Sequence, residues 1–341
     1  MRRSWLDWLT DLVDAAPGPR WLVYGASLAI WTLLTAVVGW SAEIRPFPDV
    51  VPSPVFAAMF AITLLWSKQV LDRVAMRSLE ALNPALDLEA TAIDELAREL
   101  RRTPPGWASL VVPLGLAAGI AGVLANPDGW ELRQGDPAAV WALTIGASCA
   151  ALIAALGFGV HAVHQLRLVD DIHRRSVTID LFRLEPLYAF ARLTSLTGMT
   201  LVGIVVGGTL AVSIVVPNLE FAPTDIVTFG FLLLVAVACF IVPLLGLHDR
   251  IEAEKDRRLA EAQATLAAAL AEVRRRIVAG DVDGAAKVND AVAAANMGVL
   301  VVTRTSTWPW RAETLRGFLS AVLLPVLLWF VITLLGRFLP A

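Results

Sequence analysis

Histidine offers the clearest chemistry in this sequence, because its side chain changes charge near neutral pH and binds metal ions. The four histidines are His161, His164, His173 and His248. His161 and His164 are three residues apart, a spacing that puts two side chains on one face of a helix. The set predicts either a pH-sensing or metal-binding cluster, or separate side chains that cap helices and reach toward the membrane surface.

Small and hydroxyl residues form a second group of candidates, in the apolar stretch 193–219. Thr200, Gly203, Gly207 and Ala211 follow one another at steps of three or four residues, so they share one helix face. Thr194 and Thr197 precede them and add further hydroxyl groups. Gly203 and Gly207 have the GxxxG spacing that is typical of closely packed membrane helices. The face predicts helix packing, with a water-lined path along its hydroxyls as the alternative. Gly115 and Gly119 repeat the spacing in 103–127.

The last apolar stretch, 317–336, is uniform apart from a few residues that include Ser320, Pro325 and Thr333. Pro325 frees a backbone carbonyl inside a helix, which indicates either a gate or a kink. The stretch follows Thr307-Trp308-Pro309-Trp310-Arg311, which predicts a rigid link. The helix could line a hydrophobic gate or could be a lipid-facing anchor.

Motifs for enzymatic chemistry are missing from the sequence. It contains no GxxxxGK[ST], no GxSxG, no HExxH and no CxxC, and its two cysteines, Cys149 and Cys239, lie in apolar stretches. We therefore expect no enzyme, no cofactor and no cysteine-based metal site. An intramembrane enzyme that uses the histidines with Asp170 or Asp171 is an alternative that no spacing supports.

The composition identifies the kind of protein that must hold these residues. The chain has 341 residues, of which 57% are hydrophobic and 17% charged, and its mean hydropathy is +0.66. Seven stretches contain no Asp, Glu, Lys or Arg, and each is at least 18 residues long: 21–42, 50–67, 103–127, 137–166, 193–219, 226–248 and 317–336. About 20 apolar residues cross a bilayer as a helix. The sequence predicts an all-α polytopic membrane protein with about seven transmembrane helices.

The charges between the stretches predict the orientation. If the polar segments alternate between the two sides, 25 of the 28 Lys and Arg residues fall on one side, which is then cytoplasmic by the positive-inside rule. This places the N-terminus inside and the C-terminus outside. The second stretch is the weakest, because Pro52 and Pro54 leave only 55–66 strongly apolar, and a re-entrant segment is the alternative.

Amphipathic segments between the stretches predict a cytoplasmic layer of helices. Trp5, Leu6, Trp8, Leu9, Leu12 and Val13 are placed on one side of an N-terminal interfacial helix, with Asp7, Asp11 and Asp14 on the other. The predicted organisation is an interfacial helix (1–20), a transmembrane hairpin (21–66), cytoplasmic helices (67–106), transmembrane helices three and four (107–165), a connector (166–192), transmembrane helices five and six (193–248), a cytoplasmic αα-hairpin (249–312) and a last transmembrane helix (313–341).

These features together favour a homo-oligomeric channel in a bacterial inner membrane. Acidic external loops would favour cations, and the cytoplasmic helices would assemble and gate the oligomer. The order of spans resembles, in outline, the insect odorant and gustatory receptor channels, without their sequence motifs, so no residue is carried over. The alternative is a non-conducting scaffold or sensor that recruits a cytoplasmic protein partner. A net charge of -3 excludes a basic nucleic-acid binder.

Overall fold

A computed structural model of the chain describes residues 4–44, 46–86, 88–175, 179–215 and 223–338. These residues form ten α-helices and no β-strand, so the predicted all-α class is confirmed. The helices are α1 (Trp5–Ala15), α2 (Arg20–Ser41), α3 (Pro52–Leu82), α4 (Ala90–Arg101), α5 (Pro105–Ala125), α6 (Ala138–Arg175), α7 (Ala189–Val215), α8 (Pro223–Val278), α9 (Val282–Arg304) and α10 (Ala312–Phe338).

Seven helical segments among the described residues are long and apolar enough to cross a membrane. They contain α2, α3, α4 together with α5, α6, the first part of α7, the part of α8 from Gly230 onward, and α9. Six of them overlap the apolar stretches of the sequence. The seventh, α9, was expected outside the membrane, whereas α10 is not among them, because most side chains of its second half lie outside the described part of the chain.

The second apolar stretch belongs to one uninterrupted helix. Helix α3 runs for 31 residues from Pro52, which corresponds to about 46 Å. Pro52 and Pro54 stand in its first turn, where a missing backbone N–H removes no helical hydrogen bond. The helix is therefore long enough to cross a bilayer, and it lacks the break that a re-entrant segment requires.

The main hydrophobic core surrounds the second half of α3 and the middle and end of α6. Leu79, Leu82, Leu100, Phe190 and Leu193 are among its completely buried side chains, and they come from α3, α4 and the start of α7. A second core forms where α7, α8 and α10 meet. It contains Val202, Ala236, Phe240, Leu244, Phe318 and Val322.

Helices α8 and α9 form an antiparallel hairpin. Gly280 adopts the left-handed backbone conformation (φ 79°) that ends α8, and the Asp281 carboxylate accepts a hydrogen bond from the Gly284 N–H, which caps α9. At the other end, the Lys255 ammonium donates to the carbonyls of Thr303 and Thr305 at 2.9 and 2.7 Å. About 30 residues of α8 follow its apolar stretch, so the hairpin extends for roughly 45 Å.

Candidate functional site

A network of polar side chains, five of them buried and the sixth, Asp72, partly buried, lies where α1, α3, α6 and the link between α4 and α5 meet. Its members are Asp7, Lys68, Asp72, Thr103, His161 and Gln165, and we call them the buried network. Lys68 and Thr103 are 1% exposed, and His161 and Gln165 are completely buried. Burying a charged group costs free energy unless the group is paired with another polar group. The contacts of each member therefore determine which charge states the network can hold.

Asp72 lies at the centre of the network and pairs with two cationic side chains. Its Oδ2 is 2.8 Å from the Lys68 Nζ, one helical turn earlier in α3. Its Oδ1 is 2.7 Å from the His161 Nε2 on α6. Gln165, one turn beyond His161, donates from Nε2 to the Leu100 carbonyl at 3.0 Å and reaches Asp72 Oδ1 at 3.5 Å. Asp72 therefore connects α3 to α6.

Thr103 connects this pair of helices to α1. Its hydroxyl oxygen is 3.1 Å from the His161 Nδ1 and donates to Asp7 Oδ1, also at 3.1 Å. The Thr103 backbone N–H donates to both Asp7 carboxylate oxygens, at 3.2 and 3.1 Å. The Lys68 Nζ lies 3.4 Å from Asp7 Oδ1. Asp7 thus ties the N-terminal helix to the bundle.

The burial of Asp7 corrects the sequence-based assignment for α1. Asp7 was placed on the solvent side with Asp11 and Asp14, but it is buried together with Leu6 and Thr10. Trp8 and Leu12, which were placed on the same side as Leu6, are exposed at 60% and 53%, whereas Leu6 is buried. The face of α1 that contacts the protein is therefore mixed in polarity, and Trp8 and Leu12 lie on its exposed side.

The line of hydroxyl, imidazole and carboxylate in Thr103, His161 and Asp72 has the composition of a nucleophilic triad. Two features oppose such a role. The Thr103 hydroxyl already bonds to Asp7, and both Thr103 and His161 are buried to 1% or less, so no substrate reaches them in this arrangement.

The four histidines do not form one cluster. His161 belongs to the buried network, and His164, one turn on, is half-buried near Glu99. His173 is completely buried and makes an edge contact with Phe190 at a centroid distance of 5.5 Å. His248 stacks on Trp308. Among the described residues, no group of three His, Cys, Asp or Glu side chains is placed to hold a metal ion.

The hydroxyl and glycine residues of α7 differ in how far they are covered by neighbouring helices. Thr197 is completely buried and donates to the Leu193 carbonyl of its own helix at 3.0 Å, so its hydroxyl lines no open path. Thr200 is half-buried. Gly203 and Gly207 face open space, because a Cβ added at either position would meet no atom within 4 Å. The described residues make no close contact at these two glycines.

The candidates in α10 lie at the edge of the bundle. Ser320 is exposed, and Phe318 and Val322 are the buried residues that attach the helix to α7 and α8. Pro325 and Thr333 fall within α10, but their side chains lie outside the described part of the structure.

A row of aromatic rings joins α10 to the base of the hairpin. His248 and Trp308 stack at 3.9 Å with an angle of 6° between their planes, and Trp308 stacks on Trp310 at 4.5 Å. Phe240 lies 5.1 Å from Trp310 and 4.5 Å from Phe318. We call these five side chains the aromatic row. Through these rings, the link that the sequence predicts to be rigid is packed against α8 and α10.

Sequence reasoning missed most of the buried network. Lys68 and Asp72 were counted among the charges of the cytoplasmic segment 67–106, and Asp7 among those of a solvated face. One signal was present: Lys68 directly follows the charge-free stretch 50–67, and Asp72 follows it at the i,i+4 spacing of a helical ion pair. The chain matches no protein-family model, no curated protein and no solved structure.

Proposed function

We propose that the protein is a homo-oligomeric membrane channel that favours cations, in which the α8–α9 hairpin assembles and gates the oligomer. The observation that supports this most is the position of α10. Phe318 and Val322 hold it to the bundle, while Leu319, Leu323, Leu324 and Leu327 are exposed by 43% to 58%. A helix with one attached side and one free side is suited to line a pore between several copies.

The aromatic row supports a gating role for the hairpin. It connects the end of the apolar part of α8 through Trp308 and Trp310 to Phe318 near the start of α10. Stacked rings transmit displacement because packed groups have few alternative arrangements. A shift of the hairpin would therefore change the tilt of α10.

The charges of the hairpin support a position outside the membrane. Arg257, Arg258 and Glu261 on α8 have side chains exposed by 58%, 47% and 53%, and α9 carries Asp283, Lys287 and Asp290. These groups would each cost several kcal/mol in hydrocarbon. We therefore propose that α9 lies outside the membrane despite its apolar composition. By the positive-inside rule, it lies on the cytoplasmic side of a bacterial inner membrane.

Acidic side chains at the opposite end of the bundle support the cation preference. The α2–α3 and α5–α6 links lie together there, since Ser53 at the start of α3 donates to Glu131 at 3.4 Å and one apolar cluster joins the links. Glu43, Asp49 and Asp128 are exposed in these links. Negative charge at a pore mouth raises the local cation concentration.

Ion flux through the purified protein in liposomes tests the proposal. We expect potassium flux above that of empty liposomes and chloride flux close to it. Thr200→Leu and Pro325→Ala should change the flux, whereas the conservative variant Ile332→Leu should not. Equal flux in all three variants would contradict the assignment of the pathway, and no flux from well-folded protein would contradict conduction.

A scaffold or sensor that recruits a cytoplasmic protein partner is the second candidate. The observation that favours it is the uneven covering of the amphipathic segments. The apolar side chains of 67–102 are largely buried by the protein itself, but Leu270, Ile277, Val278, Val282 and Met297 on the hairpin are exposed by 50% to 82%. A folded protein that conducts nothing would favour this function. Neither candidate includes a chemical reaction.

A further inference from the structure

We infer that the buried network is a proton-binding site that controls how firmly α1 is held against the bundle. The inference does not depend on ion conduction. It follows from counting the hydrogen atoms that the observed distances require, since each short polar contact needs a hydrogen atom on one of its two atoms.

The Thr103 hydroxyl has a single hydrogen atom, so it can donate to only one of its two neighbours. Thr103 Oγ1 lies 3.1 Å from both Asp7 Oδ1 and the His161 Nδ1. If the hydroxyl donates to the carboxylate, the His161 Nδ1 must carry a hydrogen atom and donate to Thr103.

The contact between the other ring nitrogen of His161 and Asp72 holds one extra proton. The His161 Nε2 and Asp72 Oδ1 are 2.7 Å apart, so a hydrogen atom lies between them. With Nδ1 already protonated, this atom makes the pair either an imidazolium with a carboxylate or a neutral imidazole with a carboxylic acid. In both arrangements the pair holds one proton that the network can lose.

The charges around the pair explain why this proton is held. Lys68 contacts Asp7 Oδ1 at 3.4 Å and Asp72 Oδ2 at 2.8 Å. When the proton is present, the charges of Asp7, Asp72, Lys68 and His161 sum to zero. When the proton is lost, a net negative charge remains among buried groups, which is unfavourable. Glu99 and Arg167 lie beside His164, one turn along α6, and α5 has no charged side chain.

Loss of the proton would weaken the attachment of α1, because the Thr103 hydroxyl would change its hydrogen-bond partner. Once His161 Nδ1 lacks its hydrogen atom, it becomes an acceptor, and the Thr103 hydroxyl turns from Asp7 to His161. Asp7 then loses one hydrogen bond within a network of net negative charge. Helix α1 should loosen, although Trp5 still donates to the Ala108 carbonyl at 2.8 Å and Gln69 to the Thr10 carbonyl at 3.1 Å.

Hydrogen exchange of the full chain in lipid nanodiscs tests this inference. The protection factor of α1, corrected for the intrinsic effect of pH, should fall about tenfold when the pH is raised far enough to remove the proton, because a hydrogen bond to a charged group is lost. Thr103→Val has no hydroxyl that can turn from Asp7 to His161, so the protection of α1 in this variant should be independent of pH. Thr103→Ser keeps the hydroxyl and should retain the response.

The proton itself is measured by nitrogen NMR of the histidine side chains, with His161→Gln used to assign the His161 signal. We expect this signal to change protonation over the same pH range as the loosening of α1, and α1 protection in His161→Gln to be independent of pH. Constant protection of α1 in the unmodified protein, or a full response in Thr103→Val, would overturn the inference. An unchanging His161 signal would overturn it as well.

Discussion

Two glycine pairs with the same spacing have opposite surroundings in this protein. On α5, a Cβ added to Gly115 would lie 2.9 Å from the Ile153 backbone, and one added to Gly119 would lie 2.8 Å from the Cys149 backbone nitrogen on α6. On α7, Gly203 and Gly207 would meet nothing within 4 Å. The GxxxG spacing therefore marks a helix that can be approached closely, but it does not say by which neighbour.

The close contact of α5 with α6 also satisfies polar atoms. The Ser148 hydroxyl donates to the Gly119 carbonyl at 3.3 Å, which is possible because no side chain separates the two backbones. The open pair on α7 has no such contact with the described residues. The first pair lies at a contact between two helices of the chain, whereas the second lies on a face that the described residues leave uncovered.

Gly119→Val should have the largest effect on stability. Its side chain would overlap the Cys149 backbone, which cannot rotate away as a side chain can, so we expect a loss of about 3 kcal/mol in the free energy of unfolding. Gly122→Val, three residues along the same helix, is the control, because a Cβ there would meet nothing within 4 Å. Denaturation in detergent, followed by circular dichroism, measures both. Equal stability would contradict the contact of α5 with α6.

Gly198→Val should have the next largest effect. A Cβ at Gly198 would lie 2.6 Å from the Ala236 carbonyl oxygen on α8 and 2.9 Å from the Phe318 ring on α10. The ring can move, but the carbonyl cannot, so we expect a loss of about 2 kcal/mol in the free energy of unfolding.

The same variant should also disturb the attachment of α10. Displacement of Phe318 would separate it from Phe240, now 4.5 Å away, and would expose α10 to proteolysis near its start. A protease pattern identical to that of the unmodified protein would show that α10 is held mainly by other contacts. The matched control is Gly203→Val on the same helix.

Gly198 illustrates how far the sequence predicts the fold. Apolar stretches and amphipathic segments predicted the helical class and six of the seven candidate spans, because hydrophobic length is a local property of the chain. The rotation of each helix about its axis is not local. For α7, it turns Gly198 toward α8 and leaves Gly203 open, although the spacing alone favoured Gly203 and Gly207.

The buried network shows the same limit for the site. Lys68 and Asp72 follow an apolar stretch in the way that solvated charges commonly do, and only tertiary packing places α1 and His161 over them. Asp7 and Thr103 are 96 residues apart in the chain, so no spacing rule connects them. The individual histidines were found from the sequence because their side-chain chemistry is distinctive, but the partners of His161, Asp72 and Thr103, were not.

Gly203→Val should have the smallest effect on the single chain and therefore tests the open pair most directly. We expect the free energy of unfolding to change by less than about 0.5 kcal/mol, because the new side chain enters open space. If the open face of α7 contacts a second copy, the variant should lower the mass of the complex measured by light scattering in detergent, whereas Gly122→Val on α5 should not. An unchanged mass for Gly203→Val would place the contact between copies elsewhere and leave this face to lipid. Loss of the oligomer without loss of protomer stability would show that two glycine pairs of equal spacing have separate tasks, one within the chain and one between chains.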